Sequence, residues 1–354
     1  MSVVVDVFDG LVRVEASPRL ADVVSRIPGL SVSGDAWVGP VNPTTMLAVA
    51  ADLSGLSGFE PSPAADEYMR LFRELRDRVA AVKAGAAVDV HDERLFGYQH
   101  AGVDMLLRGG CLLGDEMGTG KTVMALTAAR QCGGAALVVC PNSMKHRWAD
   151  EAKVWYPGAA SFVVQGTSKQ KERVLSEALE LHRAGSEVLV VVNWESLRTL
   201  SRLAGYGSTR RTDKEKEAGP LNAFSWRVVV ADEAHRAKDP KSKQTRALWA
   251  VGQDVPYRWA LTGTPVLNTP GDLWAIGRFY NPASYGSSRH KWHNRFVSFI
   301  DTNWGPKDLG LLKSREPEFV AGFDSSFIRR TKDEVLDLPP VTYQVREVEL
   351  SAKQ

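Results

Sequence analysis

Short apolar runs alternate with amphipathic stretches along most of this chain, and the alternation predicts its fold. From residue 95 onward, strand-like runs occur at Cys111–Leu113, Ala136–Cys140, Phe162–Val164, Val188–Val192, Arg227–Ala231 and Trp259–Thr262. Between them, helical spacing marks Lys121–Arg130, Met144–Trp155, Lys169–Ala184, Glu195–Leu203, Ser242–Ala250 and Gly271–Phe279. Strands apolar on both faces, joined by helical crossovers, predict an α/β fold with a parallel sheet covered by helices on both faces. Tyr206 to Pro220 is Gly-rich and charged, which predicts a solvated loop. After Phe279 the pattern weakens into irregular, aromatic-rich sequence up to about Gly322.

The first sixty residues follow a different rule. Two β-rich runs within residues 3–16 flank Asp9-Gly10, a hairpin signal. Turn pairs follow at Pro28-Gly29, Gly34-Asp35 and Gly39-Pro40. Residues 1–60 are therefore expected to form a small strand-rich module. Residues 61–91 are expected to hold an amphipathic helix, about Asp66 to Lys83, with Leu71, Phe72, Leu75, Val79 and Val82 on one stripe and Gly85 as its stop. The module reads as a docking or stabilising appendage, with recognition of DNA or of a partner as the alternative.

Four stretches carry candidate chemistry. In Cys111-Leu-Leu-Gly-Asp-Glu-Met-Gly-Thr-Gly-Lys-Thr122, a buried strand opens into a Gly-rich turn and then a helix. Backbone N–H groups of such a loop and the helix N-terminus attract phosphate. Lys121 would reach the β- and γ-phosphates of ATP, and the Thr122 hydroxyl would hold Mg²⁺. Asp115 occupies the position where the strict pattern has Gly. The second stretch, Arg227-Val-Val-Val-Ala-Asp-Glu-Ala-His235, delivers two acids to the carboxyl end of a strand. Asp232 would bind Mg²⁺, and Glu233 would polarise the water that attacks the γ-phosphate. The third, Ala260-Leu-Thr-Gly-Thr-Pro265, offers the Thr262 and Thr264 hydroxyls near those acids, where they can relay nucleotide state. The fourth, Leu95-Phe-Gly-Tyr-Gln-His-Ala-Gly102, places Gln99, whose amide both donates and accepts, where it could read adenine.

Taken in order, these segments resemble the first RecA-like lobe of superfamily-two helicases, and more closely that of the Swi/Snf-type DNA translocases. The resemblance runs through Tyr98-Gln99, Asp115–Thr122, Val138-Val-Cys-Pro-Asn-Ser143, Val191-Val-Asn-Trp-Glu-Ser-Leu197, Asp232-Glu-Ala-His235 and Leu261-Thr-Gly-Thr-Pro-Val-Leu-Asn268. It continues through Asp272-Leu-Trp-Ala-Ile276, Phe279-Tyr-Asn-Pro282, Phe327–Leu336 and Leu338-Pro-Pro340. It implies a RecA-like P-loop lobe over residues 92–354, with Asp115 at home in the loop. It also implies an ATP site made by Gln99, Asp115, Glu116, Met117, Gly118, Thr119, Gly120, Lys121 and Thr122. The catalytic residues implied are Glu233, Lys121 and Asp232, the Mg²⁺ ligands Thr122 and Asp232, and the coupling residues His235, Thr262 and Thr264. Ser143, Lys145 and Arg147, with His146, sit where that family's first lobe meets the DNA backbone. Lys238, with Arg236, Lys241, Lys243 and Arg246, would extend the basic track.

The family's second RecA-like lobe, with its arginine finger, has no counterpart before Gln354. The expectation is therefore weak hydrolysis until a second lobe, in the same gene or a separate chain, completes the site. Weaker signals, the aromatic segment Trp292 to Trp304 and a hairpin-type module ahead of the motor, point to the annealing-helicase branch. Trp292 and Trp304 are expected to pack against the lobe more readily than to stack on bases. Two rivals remain: another superfamily-two motor, acting on RNA or in restriction, or an ATP-regulated DNA-binding lobe without hydrolysis.

Composition narrows this little further. The net charge of +2 restricts any nucleic-acid surface to a local patch. Three cysteines without metal spacing suggest a reducing setting, and no run approaches a membrane span. The expected setting is the cytoplasm of a bacterium or phage-infected host, or the nucleus in a eukaryote. Partners are expected to be double-stranded DNA, through its phosphates, and a second lobe.

Overall fold

The computed structural model describes residues 3–8, 11–27, 29–41, 43–70, 92–207, 211–264, 271–302, 305–316, 319 and 326–336. Strands are numbered here in chain order. A mixed sheet of β1 (Val3–Phe8), β2 (Leu11–Ala16), β3 (Ser31–Ser33), β4 (Ala36–Pro40) and β5 (Phe59–Pro61) has the order β3-β4-β2-β1-β5. The β1–β2 pairing is antiparallel, as a hairpin requires, while the turn residues Asp9-Gly10 lie outside the described residues. The module is less purely strand-like than its sequence suggested. Helix Pro43–Leu53 and a helical stretch at 63–70 cover the sheet, burying Met46, Val49, Leu53 and Met69 with Val3, Val5, Val12 and Val14. Pro43 at the helix start was the available signal, since Pro is favoured in a first turn. The apolar stripe expected from Leu71 to Val82 lies outside the described residues.

Among the described residues the larger sheet has seven strands. These are β6 (Cys111–Leu113), β7 (Ala135–Cys140), β8 (Ala160–Val163), β9 (Val188–Asn193), β10 (Trp226–Asp232), β11 (Tyr257–Leu261) and β14 (Phe327–Ile328), in the order β14-β6-β11-β10-β7-β9-β8. Every pairing in it is parallel. Alternate residues of each strand feed two cores. Leu113, Val138, Val191, Val230 and Leu261 pack under helices Gly97–Leu107, Lys121–Cys132 and Lys145–Trp155. Leu112, Val139, Val190, Val229 and Ala260 face helices Ser168–Arg183, Trp194–Leu200, Lys243–Val251 and Asp272–Tyr280. This is the RecA-like P-loop arrangement.

The segment after Phe279 is more regular than its sequence pattern. It forms helices Pro282–Tyr285 and Arg289–Phe296 and an antiparallel hairpin of β12 (Val297–Thr302) and β13 (Gly305–Leu311). Aromatic bulk, not periodicity, organises it: Trp292 is buried and stacks on Tyr285 at 5.9 Å between ring centroids. Trp292 thus packs against the lobe, while Trp304 lies outside the described residues. The Tyr206–Pro220 loop contains a helical turn, Asp213–Lys216, capped by Thr212. The mixed-sheet module docks on this late segment. Asp52 accepts hydrogen bonds from Arg295 at 2.6 Å and Arg315 at 2.7 Å, and Arg295 also donates to the Arg26 carbonyl at 2.7 Å.

Candidate nucleotide site

Strand order builds the site. β11 lies between β6 and β10, so the carboxyl ends of these three strands stand in a row. The first ends in the Gly-rich loop, the second in Thr262 and the third in Asp232-Glu233. In parallel α/β sheets this edge is where ligands bind.

The loop from Gly114 to Gly120 leads into helix Lys121–Cys132. Gly118 and Gly120 take φ of +85° and +84°, where an L side chain is strained. At Gly120 a Cβ would also collide with Gln99 Nε2. Lys121 Nζ folds back and donates to the carbonyls of Asp115 at 2.7 Å and Glu116 at 2.9 Å. Burial pulls the Lys121 ammonium below its ordinary range, against the pull of the Asp115, Glu233 and Asp232 carboxylates. Thr122 occupies the next position, half-buried at the helix start.

Gln99 is buried, and both ends of its amide are engaged by the protein. Its Oε1 accepts the Phe96 N–H at 3.0 Å, and its Nε2 donates to the Thr119 carbonyl at 3.1 Å. Tyr98 Oη donates to the same carbonyl at 2.8 Å. Here Gln99 stands as a support of the loop. Met117 is exposed at the crest, and Gly263 lies close behind it: a Cβ there would sit 3.1 Å from Met117 Cγ.

What holds the loop from below comes from a segment distant in sequence. β14 runs beside β6, and the backbone pairing continues past it. The Gly114 N–H donates to the Ile328 carbonyl and the Glu116 N–H to the Arg330 carbonyl. Arg330 is buried and grips Asp115, with Nε to Oδ1 at 3.1 Å and Nη2 to Oδ2 at 2.5 Å, and also donates to the Tyr98 carbonyl. Glu116 Oε2 accepts the Lys332 N–H at 2.8 Å.

Asp232 is fixed by three N–H donors. Its Oδ2 accepts from Trp148 Nε1 at 2.9 Å, its Oδ1 from the Glu233 N–H at 3.1 Å, and its backbone carbonyl from Trp194 Nε1 at 3.0 Å. Burial pushes its carboxyl up to about 6, with the Trp148 N–H opposing that shift. Glu233 takes φ 51° and ψ 51°, a left-handed conformation rare for a residue with a side chain. Its Oε2 lies 3.2 Å from His235 Nδ1 but out of hydrogen-bond alignment, and is buried without a hydrogen-bond partner among the described residues. His235 Nδ1 is also 3.2 Å from Thr262 Oγ1, which accepts the Thr264 N–H at 3.2 Å. Glu233, His235, Thr262 and Thr264 thus form one chain of contacts. Residues 265–270 and 337–340, with the motif positions they hold, lie outside the described residues.

The expected basic track divides. Ser143, His146 and Arg147 are exposed where β7 ends, and Lys238 is half-buried after the acids. Lys145 departs from the expectation: it is buried, and Nζ donates to the Val164 carbonyl at 3.2 Å. Its helix buries positions 145, 148, 149 and 152, a stripe visible in the sequence spacing that turns Lys145 inward. Arg246 is likewise buried, with Nε donating to the Ala204 carbonyl at 2.8 Å. Arg236 pairs with Glu195 at 2.6 Å and Lys243 with Glu215 at 2.9 Å.

These groups fit a nucleotide triphosphate with Mg²⁺. The loop and the start of helix Lys121–Cys132 offer backbone amides, Lys121 an ammonium resting on two carbonyl partners, and Asp232 and Thr122 a carboxylate and a hydroxyl as hard oxygen donors. Among the described residues no group of three or more His, Cys, Asp or Glu side chains could hold a metal alone. A cation here would share its shell with phosphate oxygens, as Mg²⁺ does.

Fold and site together define a P-loop lobe of the RecA-like, helicase-type nucleotide-binding proteins. Residues 98–354 match the SNF2-related domain, and the chain belongs to that family. Protein CHROMATIN REMODELING 19 of Arabidopsis thaliana is 31% identical over 278 residues, covering 73% of this chain and 33% of that protein. DNA annealing helicase and endonuclease ZRANB3 of Bos taurus is 28% identical over 257 residues, covering 70% of this chain and 22% of that protein. Among solved structures, the Sulfolobus solfataricus SWI2/SNF2 ATPase core in complex with dsDNA aligns at 25% identity and a TM-score of 0.49, covering 68% of this chain and 46% of that one. The chain thus matches a third or less of the length of these curated relatives. Among the described residues no helix is long and apolar enough to cross a membrane.

Proposed function

We propose that this chain is the ATP-binding lobe of an ATP-driven translocase on double-stranded DNA. It would hydrolyse ATP to ADP and phosphate when a second RecA-like lobe closes over the site. One observation carries the hydrolytic reading. Glu233 is held in a strained backbone, next to the half-buried Asp232, with a carboxylate oxygen that no donor among the described residues satisfies. Left-handed strain and an unsatisfied buried acceptor are costly, and such features concentrate at working sites.

The roles follow from position. Lys121 exchanges two carbonyl partners for phosphate oxygens, a charge-assisted contact. Thr122 and Asp232 would hold Mg²⁺, which supplies charge neutralisation at the phosphates. Glu233 accepts a proton from the attacking water, and His235 carries the change to Thr262 and Thr264. Ser143 and Arg147, with Lys238, would meet the DNA backbone without reading bases. Family membership and the DNA-directed names of the relatives support DNA as the track. Reannealing of strands is the finer proposal, supported by ZRANB3 among the relatives and by the module docked through Asp52. The setting proposed is a DNA-containing compartment, the bacterial cytoplasm or a nucleus.

The test is Glu233→Gln in the motor completed by its second lobe. ATP affinity is expected to persist while hydrolysis falls by roughly 10²–10⁴-fold. Near-normal turnover would remove Glu233 from the role.

A further inference from the structure

Both side-chain oxygens of Asp232 are occupied from fixed directions, and the donor to Oδ2 comes from a distant part of the chain. Trp148 lies 84 residues before Asp232 and is wholly buried on the inward stripe of helix Lys145–Trp155. Its Nε1 donates at 2.9 Å. An indole N–H is a donor only, so no flip of the ring exchanges its role. The terminal torsion of Asp is broad, and a carboxylate held at one oxygen alone would sample a range of planes. Held at Oδ1 by the Glu233 N–H and at Oδ2 by Trp148, it has one plane. Trp194 fixes the backbone of the same residue, so its side chain leaves the carboxylate plane alone.

We infer that Trp148 is a positioning residue for Asp232: its indole N–H sets the carboxylate plane that receives the metal of a metal–nucleotide complex. This rests on the reading of Asp232 as a metal ligand. The same helix turn carries the exposed His146 and Arg147, so the group that aims the metal ligand and the groups facing outward share one rigid element.

The experiment measures binding of a fluorescent ADP analogue to the full chain, with no metal and over a MgCl₂ titration. Trp148→Phe is expected to leave metal-free affinity unchanged and to raise the Mg²⁺ concentration for half-maximal enhancement by roughly 10-fold or more, the usual loss when a metal ligand's hydrogen-bond partner is removed. Trp194→Phe is expected to leave that concentration near wild type. Should Trp148→Phe fold poorly, site-specific replacement by benzothienylalanine keeps the ring shape and removes only the N–H. An unmoved Mg²⁺ midpoint in a folded variant, or an equal loss with and without metal, overturns the inference. Asp232→Asn separates the two levels. If it enhances with Mg²⁺ like wild type, the metal-ligand reading itself fails, and the role of Trp148 falls with it.

Discussion

Arg330 clamps Asp115 through two buried hydrogen bonds, joining the last described segment of the lobe to the nucleotide loop across 215 residues of sequence. Asp115 is fully buried, so its carboxylate depends on this partner. Removing one member of a buried pair leaves an uncompensated charge. Arg330→Gln is expected to destabilise the lobe by about 3–5 kcal/mol. Adding Asp115→Asn, which removes the stranded charge, is expected to recover a large part of that loss. Chemical denaturation of both single variants and the double variant measures the coupling, and strictly additive losses would show that the pair does not act as a unit.

The loop backbone yields a second expectation. Gly120→Ala imposes a side chain at φ +84° and pushes Gln99 Nε2 off the Thr119 carbonyl. The left-handed conformation costs about 1–2 kcal/mol, and the loss of the Gln99 bond adds to it. ATP-analogue affinity is expected to fall at least about tenfold, because the loop amides lose their alignment. Titration calorimetry reads this directly, and unchanged affinity would show that the loop tolerates another path.

The Asp232 carboxyl, raised to about 6 by burial, sets a pH dependence. Below that value the metal-free protein holds the group protonated, and a proton must leave before a cation can bind. Affinity for Mg²⁺ with nucleotide is therefore expected to weaken as pH falls through about 6, approaching tenfold per pH unit, with metal-free nucleotide affinity changing less. The sign for folding is opposite. A carboxyl whose folded pKa is raised favours the folded state on protonation, so this group opposes folding most above about pH 6. Parallel titrations at pH 5.0, 6.0 and 7.5 with and without Mg²⁺ test it; a flat metal dependence would contradict it.

Lys145 and Arg147 should behave differently despite their shared charge. Arg147→Ala is expected to weaken duplex binding with little effect on stability, and to lower the salt slope by about 1. Lys145→Ala removes a buried donor to the Val164 carbonyl and should lower the unfolding midpoint instead. Salt-dependent duplex binding alongside thermal melts separates the two effects. The reverse pattern would place Lys145, not Arg147, at the phosphates.

The parts of this fold legible in the sequence were those encoded locally. Strand runs such as Val188–Val192 are apolar at every position because both faces are buried, and the structure places β9 there with one added residue. The Gly-rich loop, Asp232-Glu233 and Thr262 could be read because their chemistry sits in contiguous segments, and the strand order brings them to one edge. What stayed hidden depends on partners distant in sequence. Arg330 looks like any basic residue until β14 sets it against Asp115. Trp148 looks like core filling until its N–H meets Asp232. Lys145 and Arg246 were misplaced because charge type, not helical face, was weighed. Helices Pro282–Tyr285 and Arg289–Phe296 were missed because packing of aromatic residues overrides weak periodicity.

The deciding measurement is phosphate release from ATP by this chain, with its second lobe supplied and with and without duplex DNA. Slow release is expected from residues 1–354 alone, with a rise of about 10³-fold or more when the added lobe brings its arginine and DNA is present. Strong DNA-stimulated release by these residues without the added lobe would contradict it, because the groups completing the site would then come from within them or from a second copy.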